Sequence, residues 1–251
     1  MTGVLAESGT AMPPIQRYIS DELSHFFGAR DKTEEEGYER LVTILQAGRL
    51  LAGGRGEDAG EMMIATAGAR ALCGDKMFVQ DLVCFCDIPV ADFGIHMQKY
   101  GKFGIGFAKS WLIQRGANPV FYVAAGTSPI VVPKGNPPRP REEVFNQEVD
   151  DLYLSLFKLT NETDGMTLAD HVHGILSFFL QPHIFAFIKC FDPGLRDDDP
   201  GNYYMEREWR GVGSVAFALS DVRRIVLPEG FATRLRADVP AYSGQMEFTP
   251  A

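Results

Sequence analysis

Four prolines fall within eight residues, from Pro133 to Pro140. Such a stretch can neither continue a helix nor run through a central strand, because each proline ring fixes φ and removes a backbone donor. It reads as a rigid connector between two differently patterned parts of the chain. Strand-like runs with short helices precede it, and a helical block followed by further strands comes after it. That order predicts an α+β fold with the helical block inserted between sheet strands, over about residues 141–191. Residues 1–14, rich in Gly, Ser, Thr and Pro, read as a flexible tail. Residues 15–251 are expected to form one domain.

Local signals place the elements. Thr33 followed by Glu36 is a capping-box pattern, and Tyr38, Leu41, Val42 and Leu45 supply an apolar helical face that Gly48 ends. Val83 to Cys86 predicts a short buried strand. Asp92 opens a helix through His96 and Tyr100 that stops at Gly101. Phe103-Gly104-Ile105-Gly106-Phe107 predicts a strand whose glycines permit close approach. Further strands are expected at 120–123, 130–132, 203–210, 214–217 and 223–227. Helices are expected over 142–158 and from 168 to about 191, the second bent at Pro182.

With 24 basic and 33 acidic residues the formal charge is −9. That balance disfavours non-specific binding to nucleic acid or to an anionic membrane. A local basic track of Arg139, Arg141 and the Arg223-Arg224 pair is the exception to test. No apolar run reaches the ~18 residues of a spanning helix. Met1 to Pro14 lacks the pattern of a secretory signal, and four cysteines in a chain of this length make no disulfide framework. A cytoplasmic setting follows as the expectation.

Several chemical motifs fail. No G-x-G-x-x-G occurs, and Gly104 to Ser110 lacks the glycine that precedes the lysine of a phosphate-binding loop. His171, His173, His183 and Cys190 do not have convergent spacing, so no metal site is expected. What remains is Tyr203-Tyr204-Met205-Glu206-Arg207-Glu208-Trp209-Arg210. Read as a strand, it sets Glu206, Glu208 and Arg210 on one face. Two carboxylates at i and i+2 repel unless a cationic or electron-poor group sits beside them. The competing reading is an exposed strand laced by its own arginines.

The chain resembles the AbiGi family, abortive-infection phage-resistance proteins of bacteria. The matching residues are Ile19 to Phe26, Ile44 to Gly48, Val83 to Pro89, Ile95 to Gly101, Phe103 to Phe107, Gly116 to Tyr122 and Glu206 to Arg210. The resemblance runs over about residues 17–227. It implies a role in phage defence, and the antitoxin label attached to the family implies a toxin partner.

A looser resemblance is to ADP-ribosyltransferases, whose split mixed and antiparallel sheets surround a cleft holding NAD. In chain order His25, then Cys84-Phe85-Cys86, then Glu206-x-Glu208 stand where that family carries its three signatures, with cysteines in place of serines. The resemblance implies an NAD-dependent transferase or NAD hydrolase. Glu208 would stabilise the cationic ribose and Glu206 would orient the acceptor. His25 would bind ribose, Phe85 or Tyr100 would stack on nicotinamide, and Gly104 and Gly106 would open their amides to the pyrophosphate. The competing expectation is a non-catalytic, antitoxin-like partner built on a degenerate transferase scaffold, favoured by the cysteines and by the acidic charge.

Overall fold

The computed structural model describes residues 20–52, 64–66, 78–124, 174, 183–199 and 201–249. The expected tail, the strand at 130–132, the proline connector and most of the helical block lie outside these residues. The strands in chain order are β1 (Glu22–Phe27), β2 (Arg49–Leu50), β3 (Ile64–Thr66), β4 (Phe78–Gln80), β5 (Leu82–Cys86), β6 (Phe103–Ala108), β7 (Asn118–Pro119), β8 (Phe121–Ala124), β9 (Ile188–Phe191), β10 (Glu208–Val212), β11 (Val215–Ala216), β12 (Val222–Pro228) and β13 (Gln245–Thr249). The helices are α1 (Glu34–Ala47), α2 (Phe93–Tyr100), α3 (Lys109–Ile113) and α4 (Ala232–Asp238).

Seven strands form one mixed sheet in the order β13-β12-β6-β1-β5-β10-β7, antiparallel except for β12 with β13. Three two-stranded sheets accompany it, among them the parallel pair β8–β9. The transferase resemblance anticipates split sheets around a cleft. The described residues carry a continuous sheet instead, narrowest at the β1–β5 seam, where the register is Ser24↔Cys86 alone.

The pleat gives the sheet two faces. Leu23, Ile105, Phe107, Val83, Phe85 and Ile225 project to one side. There they pack against Tyr38, Leu41 and Leu45 of α1 and Leu235 of α4. Phe26, Cys86 and Val226 project to the other side and meet Phe93 of α2, whose ring lies edge-on to Phe26 at 4.8 Å. Burying apolar surface on both faces fixes the register, since a one-residue slip would exchange them.

Helix α1 forms where its signals predict. Thr33 Oγ1 accepts from Glu36 N–H, the first turn is acidic, and Gly48 closes the helix in the left-handed region at φ 61°. The expected strand over 203–210 is half right. Tyr203–Glu206 is a turn of 3-10 helix, capped by the Asn202 side chain accepting from Tyr204 N–H, and the strand starts only at Glu208. The expected helix to about 191 also ends differently. Phe185–Phe187 is 3-10 and Ile188–Phe191 is a strand paired with β8. Among the described residues no helix is long and apolar enough to cross a membrane.

Candidate functional site

Arg207 separates the two glutamates that the sequence places on one strand face. It is the one described non-glycine residue at positive φ, 44°. This left-handed residue breaks the alternation that would align Glu206 with Glu208, and each carboxylate finds its own cations. Glu206 turns towards α2, where its Oε1 accepts from Lys99 Nζ at 2.5 Å and from the Tyr100 hydroxyl at 2.6 Å. Glu208, only 5% exposed, lies under β9. Its Oε1 accepts from Arg210 Nε at 2.6 Å, and its Oε2 lies 3.1 Å from Lys189 Nζ. The Glu208 backbone N–H donates to the Tyr122 hydroxyl oxygen at 2.7 Å.

Burial alone would raise the Glu208 carboxyl, but Arg210 and Lys189 outweigh it and hold the group below its usual range. Glu208 is therefore ionised and internally paired. The two clusters meet at Tyr203, whose ring lies 3.7 Å from Lys99 Nζ and 4.3 Å from Lys189 Nζ. Arg210 also donates to the carbonyls of Ala186 and Ile188, at 2.7 and 3.1 Å. It thereby ties β10 to the turn before β9 and to the start of β9.

The other predicted residues scatter over both faces. His25 is the cross-strand partner of Ile105 and sits between Leu23 and Phe27, on the α1 face of the sheet. Its Nδ1 donates to the Cys84 carbonyl at 2.7 Å, and burial lowers its proton affinity despite that bond. Phe85 is a core residue on that same face. Cys84 and Cys86 point the other way, opposite Arg210 and Glu208 in the ladder. His25 thus reaches the backbone of β5 beside the narrow β1–β5 seam. Gly104 and Gly106 belong to an interior strand paired with both β1 and β12, so their amides serve the ladder. A Cβ at Gly106 would fall 2.4 Å from the Glu22 carboxylate, and one at Gly104 would fall 3.1 Å from the Phe26 ring. These glycines make room for side chains of the next strand. Cys84, Cys86 and Tyr100 lie with Glu206 and Glu208 on the α2 face, whereas Phe85 faces the α1 core and Gly104 and Gly106 serve the ladder.

A pocket of about 440 Å³ opens on the α2 face beside Glu206. Ile88, Pro89, Ala91 and Met205 give it apolar walls, and Asp92, Asp197, Asp199 and Glu206 give it carboxylates. His96 lines it too, with its ring against Tyr100 and Phe26 at 4.5 and 5.2 Å. Burial, with Lys99 nearby, pulls His96 down to about 4, so the imidazole is neutral at pH 7. Sequence reading missed Lys99, Lys189 and Tyr122. Lys189 and Tyr122 meet through the β8–β9 pairing, which joins segments more than sixty residues apart and has no local signal. Among the described residues no three His, Cys, Asp or Glu side chains gather in a group fit for a metal ion.

Solvent reaches Cys84, yet the surrounding protein and the Glu208 charge push its thiol up, and burial does the same to Cys86. Thiolate is the nucleophile, so both are expected to react with iodoacetamide at pH 8 more slowly than a free cysteine. Mass spectrometry of native protein checks this, and rapid labelling at either position would contradict the geometry.

A family model matches residues 76–238, described as "Putative abortive phage resistance protein AbiGi, antitoxin". The chain belongs to the AbiGi family. The match covers β5, α2, β6, β10, β12 and therefore both ion-paired glutamates and the pocket of this AbiGi protein. Searches of curated proteins and of solved structures found no match.

Proposed function

We propose that this AbiGi chain acts in phage defence as a non-catalytic antitoxin, a binding protein that holds a toxin partner inactive. One observation carries the reading: Glu206 and Glu208, the carboxylates best suited to catalysis, are buried and taken up by Lys99, Tyr100, Arg210 and Lys189 of the same chain. A catalytic carboxylate must reach a reacting atom, and these two reach their own cations. The antitoxin wording of the family description and the net charge of −9 support a role in masking a protein partner.

Co-expression with a candidate toxin partner tests the reading. Growth is expected to recover, and the two proteins are expected to purify as one complex. The transferase reading makes the opposite prediction for the isolated protein. It requires free nicotinamide from added NAD, lost in Glu208→Gln. We expect no nicotinamide from either form. Turnover by the wild type alone would overturn the antitoxin assignment.

A further inference from the structure

The pocket beside α2 has features that a closed structural joint does not need. Its carboxylates outnumber its cations, four against Lys99 and Arg207, and Lys99 is already held by Glu206. Asp92 and Asp197 are exposed, and no hydrogen bond engages either side chain among the described residues. The Asp199 carboxylate accepts from Gly201 N–H. The rest of its lining includes the apolar side chains of Ile88, Pro89, Ala91 and Met205. Next to it the 3-10 turn exposes three large side chains, among them Tyr204 at 52% and Met205 at 43%. Tyr204 is braced from behind by Tyr122 and Phe191, with ring centroids 5.1 and 4.9 Å away. Its outer half faces solvent.

We propose that this pocket receives an arginine side chain from a basic segment of the protein partner, while Tyr204 and Met205 pack on the apolar residues beside that arginine. The inference rests on the antitoxin reading and names the partner's chemistry. A guanidinium is planar, donates five hydrogen bonds and is weakly hydrated, so it suits a mixed wall of carboxylates and aliphatic surface. Its alkyl stem covers the apolar side while its head faces Asp92 and Asp197. The neutral His96 ring adds an acceptor without adding repulsion. A small hard cation would leave the apolar wall unused. Tyrosine and methionine next to such a socket are typical of surfaces that anchor a partner.

The test uses a short fluorescein-labelled peptide alternating leucine and arginine, and the same peptide with citrulline in place of arginine. Fluorescence anisotropy is expected to show binding of the arginine peptide and at least about ten-fold weaker binding of the citrulline peptide. The double substitution Asp92→Asn with Asp197→Asn is expected to weaken the arginine peptide by about ten-fold, whereas Glu34→Gln, on the opposite side of the sheet, changes little. All three positions are exposed, so unchanged thermal melts are expected to show that folding is intact. Equal binding of the two peptides, or equal loss in the Glu34→Gln protein, overturns the socket. The same variants in the toxin co-expression separate the two levels. A complex that forms equally with and without the pocket carboxylates overturns the socket and leaves the antitoxin reading standing. No complex even with the wild type overturns both.

Discussion

Arg210→Ala is expected to cost about 3–5 kcal/mol of stability, the range for removing one member of a buried ion pair. The change strips Glu208 of its closest cation while the carboxylate stays 5% exposed. Lys189, at 3.1 Å, is the remaining counter-charge. The carbonyls of Ala186 and Ile188 lose their donor at the same time, and a buried acceptor without a donor costs about 1–3 kcal/mol. A urea titration checks the size. The combined replacement Arg210→Met, Glu208→Leu and Lys189→Met separates charge from packing. Exchanging a buried ionic group for apolar side chains of similar volume is often close to neutral. The triple variant is therefore expected to recover the part of the loss due to the unpaired charge, and a triple variant as unstable as Arg210→Ala would place the cost in the lost donor to Ala186 and Ile188 or in packing.

Acid adds an independent reading of the same cluster. In the wild type the folded-state carboxyl of Glu208 sits below its ordinary 4.5, because Arg210 and Lys189 overcome the effect of burial. A depressed carboxyl stabilises the fold fully above the unfolded value and loses that contribution as pH falls through the folded one. The wild type is thus expected to keep the Glu208 contribution down to about pH 4.5 and to lose it below. In Arg210→Ala burial gains weight against the single remaining lysine, so the loss begins at higher pH. Unfolding titrations from about pH 3 to about pH 7 compare the two profiles.

What the sequence displays and what it conceals differ in range. The α1 helix is legible because its determinants are neighbours: the Thr33 cap, the acidic first turn, the apolar stripe and Gly48. Strand β6 is legible in the same way, as are the ends of α2. The acidic pair is misread because an arginine carries no local preference for the left-handed conformation, and Arg207 adopts it under constraint from its surroundings. Its carbonyl accepts from Asp87 N–H at 3.2 Å, across to the segment after β5. The position of His25 is hidden for another reason. Periodicity shows that Leu23, His25 and Phe27 share a face, but only the pairing with β6 shows which face that is. Strand β13, which falls with α4 after the expected end of the strand pattern, completes the sheet through parallel pairing with β12. The pocket is concealed most deeply, since Asp92, Asp197 and Met205 come from three separate stretches.

Gly101→Ala is the second large effect, and it acts on the site from a distance. Gly101 ends α2 with φ 109°, a conformation that side chains rarely adopt. A Cβ there would lie 2.4 Å from the Phe27 carbonyl oxygen and 2.6 Å from Ala29 N, both backbone atoms with no rotamer to change. Backbone strain and overpacking each cost about 1–3 kcal/mol, so the fold is expected to lose roughly 3 kcal/mol. Relief requires moving α2 away from the end of β1, where Ala29 N–H donates to the Tyr100 carbonyl at 3.0 Å. The same movement withdraws Tyr100 and Lys99 from Glu206 and His96 from the pocket wall. In thermal melts the midpoint is expected to fall. In the peptide assay the loss of arginine binding is expected to exceed that from Asp92→Asn alone, because the socket is displaced as a unit. If Gly101→Ala melts like the wild type, the contact between α2 and β1 is looser than these distances require, and the placement of the pocket on that contact falls with it.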